Sequence, residues 1–187
     1  MDNSQTFLPT IEKPNGLMMK LVYYFTKKKF GKVMTPVKIV SARMPLAFGI
    51  WGSKMYQLDN KLVLPKEMIF LIRHQVSRIN ICEFCMDIGR YSALKELVNE
   101  EKINSIDDYF KSPLYSDAEK AALDYVTELT RDKKVNPQTF SKMASHYSER
   151  EICEIVYLVA SEHMSNLTNI GLNIHSDMFC DISKRKH

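Results

Sequence analysis

Glycine is scarce, with 6 in 187 residues. Strand-like alternation bounded by turn dipeptides is absent too, which removes the usual markers of a β fold. No apolar run approaches the ~18 residues that a membrane-spanning helix needs. The amino-terminal "MDNSQTFLPTIEKP" has no basic-then-apolar leader pattern, so a cytoplasmic protein without a membrane partner is expected. Four cysteines, Cys82, Cys85, Cys153 and Cys180, are too few for a disulfide scaffold. Charge of one sign is also in short supply: 26 Lys and Arg against 22 Asp and Glu leave a net +4. A nucleic-acid face would concentrate basic residues on one element. The only such run, "TKKKFGK" spanning Lys27 to Lys32, reads as a solvated helix end, so no nucleic-acid partner is expected.

Hydrophobic content of 45% with 26% charged residues is that of a globular chain, and 187 residues suit a single domain. Pro14, Gly16, Gly31, Pro36, Pro45 and Gly49 break the amino-terminal region into short helical pieces. Leu17, Leu21, Tyr24 and Phe25 fall on one helical stripe there. "LPKEMIFLIRHQVSRIN" follows, with Pro65 suited to a first turn and Met68, Ile72, Val76 and Ile79 at helical steps up to about Asn80. Ser116 with Glu119 and Ser148 with Glu151 have capping-box spacing, and Asn136–Pro137 reads as an N-cap and first position. Behind these starts, Ala122, Val126 and Leu129, then Phe140, Met143 and Tyr147, then Ile152, Ile155, Val159 and Met164 form stripes expected to face inward. The fold class is all-α. Trp51 and most of the 11 methionines, Met18, Met19, Met44, Met55 and Met68 among them, are expected as core or subunit-interface filler. "KINSIDDYFKSPLYSD" reads as a connection, and "DISKRKH" as a mobile basic tail.

The closely spaced thiols lie in "INICEFCMDIGR". Asn80 and Glu83 have capping-box spacing, which would make Cys82 the second residue of a helix and put Cys85 one turn on. Unpaired N–H groups and the positive helix end stabilise thiolate there, so the residues favour a redox pair. Two other readings stand beside it. A zinc site would want two more ligands, which the unpaired Cys153 and Cys180 and the scattered histidines do not supply in ligand spacing, so no metal is expected. The pair could also pack as two inert small hydrophobes.

The stretch "LPKEMIFLIRHQVSRINICEFCMDIGRYSAL" resembles the core motif of the carboxymuconolactone decarboxylase-like superfamily, which includes alkyl hydroperoxidase D. "FGKVMTPVKIVSARMPLAFGIW" resembles the upstream segment of its peroxidase-related members, and "SDAEKAALDYVTELT" and "YSEREICEIVYLVASEHMSNLTNIGLNIHSD" are similar to their downstream helices. The likeness runs from about Gly16 to Asp181. It implies a helical bundle of the alkyl hydroperoxidase D type, an antiparallel helix pair carrying the thiols, and a homo-oligomer. It also implies a thiol–disulfide cycle without a cofactor. Cys85 would attack a peroxide or a disulfide-bearing partner, Cys82 would resolve the product, and a protein or thiol reductant would reset the pair. The lactone decarboxylase activity is not expected, because the C-x-x-C belongs with the redox branch.

Two departures matter. Active relatives place a His four residues after the second cysteine and a Glu twelve before the first; here those positions are Gly89 and Phe70, which move no protons. His74, on the preceding helix, and His163, beside Glu162 and near Asn166 and Asn169 on the last helix, are the candidate replacement bases. Asp87 and Glu83 are nearer in sequence, but a carboxylate beside a thiol disfavours thiolate, and Glu83 is expected to act as a cap. Without a base, the scaffold would be a non-catalytic or regulatory oligomer, which is the alternative reading.

Overall fold

The computed structural model describes residues 5–95 and 99–180; "DISKRKH" lies outside them. Every regular element among the described residues is helical: α1 Leu17–Phe30, α2 Pro45–Asp59, α3 Lys66–Ile79, α4 Glu83–Lys95, α5 Glu100–Asn104, α6 Asp117–Asp132, α7 Pro137–Ala144 and α8 Glu149–Ile170. A π-helical turn spans Val37–Ser41, and a 3-10 turn spans Ile106–Asp108. The expected starts hold. Ser116 and Ser148 form complete capping boxes with Glu119 and Glu151, and the Asn136 side chain accepts from Gln138 N–H ahead of Pro137.

Helix α3 is the hub, packing on α4, α6 and α8. Its Met68, Ile72 and Val76 meet Val126 of α6, Met143 of α7 and Ile155, Leu158 and Val159 of α8 in the main core. Its start is fixed from α8, because the Glu154 carboxylate accepts the N–H groups of Val63 and Leu64 at 2.8 and 3.1 Å. On its other side, Leu71 packs with Ile106, Tyr109, Tyr115 and Leu123, so the segment read as a bare connection holds a short helix, a 3-10 turn and two buried tyrosines.

Apolar residues on the sequence stripes do not all face inward. Leu17, Leu21, Tyr24 and Phe25 of α1 all face outward, and the helix buries Met19, Tyr23 and Thr26 instead. Tyr23 wins the inward face because its hydroxyl reaches the Ile11 carbonyl at 2.5 Å, tying α1 to the chain before it. Phe140 and Met164 are exposed as well. Met164 falls on the cavity side of α8, where it lines empty space rather than core.

Candidate functional site: a disulfide at the end of an aromatic cavity

Helix α3 ends where the thiols begin. Asn80 is its C-cap residue, donating its backbone N–H to Val76 O at 3.0 Å. The Asn80–Glu83 capping box does not form. The chain needs Asn80 and Ile81 to reverse direction, and the reversal places Ile81 at φ 57°, an unfavourable region for a β-branched residue. Asn80 spends its side chain on Asn166 Oδ1 (2.9 Å) and His163 Nδ1 (3.0 Å), while the Glu83 carboxylate pairs with His175 (3.0 Å). Cys82 takes the capping position instead: its carbonyl accepts from Met86 N–H at 3.0 Å, and α4 starts at the next residue. The thiols still sit at a helix amino terminus, by a route the side-chain spacing did not indicate.

Cys82 and Cys85 are joined in a disulfide, with Cα atoms 5.3 Å apart. Cys82 is 1% exposed and Cys85 7%. Asn169 of α8 donates a side-chain N–H to Cys85 Sγ at 3.3 Å and lies 4.0 Å from Cys82 Sγ. Around the pair close Ile39 and Val40 of the π-helical turn, Phe84 and Tyr91 of α4, and Ile174 and Phe179 of the chain after α8. Asp87 pins that last segment, accepting from Ser176 Oγ and Phe179 N–H, each at 2.9 Å, and from Cys180 N–H at 3.1 Å. Asp87 thus holds a covering segment in place.

A cavity of about 610 Å³ runs between α2, α3, α4 and α8. Cys85 is on its wall and Cys82 is not. The lining includes the aromatic side chains of Phe48, Phe70 and Phe84, and Trp51 belongs to this wall rather than to the main core. Gly89 also lines it, and a Cβ placed there would lie 3.9 Å from the Phe70 ring. The two positions at which relatives carry a proton relay therefore face each other, and a phenyl ring fills the space.

Polar groups line another part of the wall. His74 stacks on Phe70, with ring centroids 5.2 Å apart. Burial, with Arg78 and Arg90 adding to it, pushes the His74 imidazole down to about 4, so it is neutral near pH 7. Its Nδ1 has no hydrogen-bond partner among the described residues. Glu162, one turn from the centre of α8, accepts from Ser77 Oγ (2.7 Å) and Asn166 Nδ2 (2.8 Å), and its second oxygen lies 3.9 Å from Arg73 Nε. Burial raises the Glu162 carboxyl above the ordinary range, against the pull of Ser77 and Arg73. Arg73 in turn pairs with Asp59 at 2.9 Å.

Of the sequence candidates, the structure brings His74 and Cys85 to one cavity and leaves His163 off its wall, half-buried in the seam beside Asn80, with burial lowering its affinity for a proton. The functional groups that sequence reasoning missed are Asn169 and the Arg73–Glu162 pair. One signal could have found them: Glu162, Asn166 and Asn169 recur at helical spacing as a polar file on an otherwise apolar face. Among the described residues, no three His, Cys, Asp or Glu side chains gather as a metal site, and no helix is long and apolar enough to cross a membrane.

The site is thus a disulfide at a helix start, in an all-helical bundle, with one of its sulfurs on the wall of a partly open cavity. No family model matches the sequence. A curated relative, the uncharacterized protein YnjA of Escherichia coli (strain K12), is 24% identical over 96% of this chain and 98% of its own length. Among solved structures, the fold matches a protein of unknown function from Agrobacterium tumefaciens, proposed to be the antioxidant defence protein AhpD. That match has a TM-score of 0.68 and 25% identity over 74% of this chain and 96% of that one. It also matches an uncharacterized peroxidase-related protein with the AhpD core from Ralstonia eutropha JMP134, with TM-score 0.72 and 20% identity over 93% and 94% of the two chains. A third match is the debrominase Bmp8 in complex with 2,3,4-tribromopyrrole, with TM-score 0.78 and 18% identity over 96% and 98%. The fold is that of the AhpD-like, peroxidase-related proteins among the solved structures.

Proposed function

We propose that the protein is a thiol-dependent oxidoreductase that reduces an organic peroxide held in the cavity. The observation that carries this reading is the asymmetry of the disulfide: Cys85 lines the cavity, and Cys82 is sealed behind it. In the reduced protein, Cys85 thiolate attacks the terminal oxygen of ROOH, forming a sulfenic acid and releasing RO⁻, which takes up a proton to leave as ROH. Cys82 then attacks the sulfenic sulfur, closing the disulfide and releasing water. A protein or low-molecular-weight dithiol supplies the two electrons that reopen it. His74, neutral near pH 7 and on the same wall, is the group suited to take the Cys85 proton and hand it to RO⁻. His163 is off the cavity wall and would act through Asn80 and Asn166. The outward apolar stripe of α1 suits a homo-oligomer, and a reducing cytoplasm would keep the pair cycling.

A second reading is favoured by the full-length likeness to a debrominase and by the aromatic lining. The same two thiols can deliver two electrons to a carbon–halogen bond, with Ar–X and two thiols giving Ar–H, HX and the disulfide. A non-catalytic oligomer with a redox-sensitive pair is the remaining alternative.

The test mixes reduced protein with cumene hydroperoxide, or with a polybrominated aromatic, and follows thiol loss, alcohol formation and bromide release. Rapid disulfide closure that needs Cys85 is expected with the peroxide. Bromide release without peroxide turnover would replace the first reading by the second. Thiols no faster than free cysteine with either acceptor would leave the scaffold reading.

A further inference from the structure

Hydrogen peroxide needs no chamber, whereas pockets of some 300–1,000 Å³ suit organic ligands. The cavity has two chemically distinct ends, and α8 sets their separation. Asn169, which touches Cys85 Sγ, and Glu162, which touches Ser77 and faces Arg73, lie on one face of α8 two turns apart. At the helical rise, that is about 10 Å. Phe70, Phe84 and Trp51 give the cavity apolar surface, alongside Ser165 and Thr168 on the α8 side between Glu162 and Asn169.

The far end still has hydrogen bonds to give. Among the described residues, only Nη2 of the Arg73 guanidinium is hydrogen-bonded, to Asp59, although a guanidinium carries five donors. The charge of Arg73 is matched by Asp59, and burial favours the neutral form of Glu162. The end is thus rich in donors yet close to neutral, so it would desolvate a carboxylate without a counter-charge to spare for it.

We propose that the Arg73–Glu162 end of the cavity is an anchoring subsite for an uncharged acceptor group, such as a carbonyl or hydroxyl oxygen, at the far end of an aromatic-bodied substrate about 10 Å long whose reducible group lies at Cys85. This rests on the thiol reading above for the direction in which the substrate lies. It adds a second recognition point that decides which organic acceptors are taken.

The chain has a single tryptophan, Trp51, and it lines the cavity, so its fluorescence reports occupancy directly. The oxidised protein is titrated with three ligands of equal heavy-atom count: 4-phenylbutan-2-one, 3-phenylpropanoate and (3-methylbutyl)benzene. The ketone is expected to bind at least about tenfold more tightly than either, as a site built to hydrogen-bond one oxygen rejects analogues that lack it or charge it. In the charge-matched variant Arg73→Met/Asp59→Asn, and separately in Glu162→Leu, that advantage should fall to about threefold or less. Equal binding of ketone and hydrocarbon, tighter binding of the carboxylate, no change in Trp51 emission, or an advantage unchanged in both variants would overturn the proposal. The wild-type ranking decides even where a variant fails to fold. Because the disulfide form does no thiol chemistry, the ranking stands or falls separately from thiol loss with peroxide.

Discussion

The Phe70 ring lies 3.9 Å from the point where a Cβ on Gly89 would sit, so the two positions at which relatives carry their relay groups face each other across the α3–α4 seam. Each replacement makes sense of the other. An imidazole at position 89 would have to share its space with the ring, and Gly89 already lines the cavity beside it. His74 stacks on that same ring.

A double-mutant cycle follows from that contact. Gly89→His alone should change peroxide-driven thiol loss by no more than about twofold, because Phe70 blocks a productive imidazole pose; Phe70→Glu/Gly89→His should raise the rate by about a hundredfold, the lower range for general acid–base catalysis. Additive effects of the two single changes, measured by stopped-flow thiol titration, would mean that the positions do not cooperate. Gly89→Ala, by contrast, should raise thermal stability by about 1 kcal/mol, roughly 2–4 °C, since Ala is the better helix former and its methyl meets the ring at an ordinary contact distance.

Much of this architecture is legible in the sequence, for identifiable reasons. Capping boxes at Ser116 and Ser148 are local, so side-chain spacing is enough to place α6 and α8. The cap before the thiols is not local: Asn80 is drawn off by Asn166 and His163, which lie more than eighty residues away, and Glu83 by His175. The apolar stripe of α1 misleads because helical periodicity says which residues share a face, not which way the face turns. Gly89 and Phe70 are readable as departures, but only the packing shows that they touch.

Among the described residues, Asn169 is the side chain that donates a hydrogen bond to Cys85, and it should matter most for the reduced form. Removing a donor to a charged acceptor costs about 1.5–3 kcal/mol. In reduced protein, Asn169→Leu should therefore slow iodoacetamide alkylation of Cys85 near pH 7 by at least about tenfold. The rate is read on the Cys85 peptide by mass spectrometry, so that Cys153 and Cys180 do not contribute. An unchanged rate would show that the α4 amino terminus alone stabilises the thiolate.

Far from the cavity, Glu154 links α8 to the start of α3 by accepting the N–H groups of Val63 and Leu64. Val63 and Leu64 lie ahead of α3, so neither N–H has an intrahelical acceptor to fall back on. Glu154→Ala should cost about 3 kcal/mol and lower the melting temperature by roughly 6–12 °C. Trp51 emission in the folded state should not change, because Glu154 is not on the cavity wall.

Two residues should make stability depend on pH in opposite directions. His74 is held at about 4 in the fold against 6.5 when free. The unfolded chain therefore binds the extra proton between those values, and stability drains away as pH falls through that window, by about 2 kcal/mol at pH 5. Glu162 works the other way. Its folded value is raised, so the native state holds a proton that the unfolded chain gives up above 4.5, and stability is lost as pH rises from there. In melting experiments, His74→Gln should flatten the decline as pH falls from 7 to 5, and Glu162→Gln the decline as pH rises above 4.5. Each substitution should leave the other limb in place. If His74→Gln left the acid limb as steep as in the wild type, His74 would be protonated in the fold, and a neutral base on the cavity wall would no longer be available to Cys85.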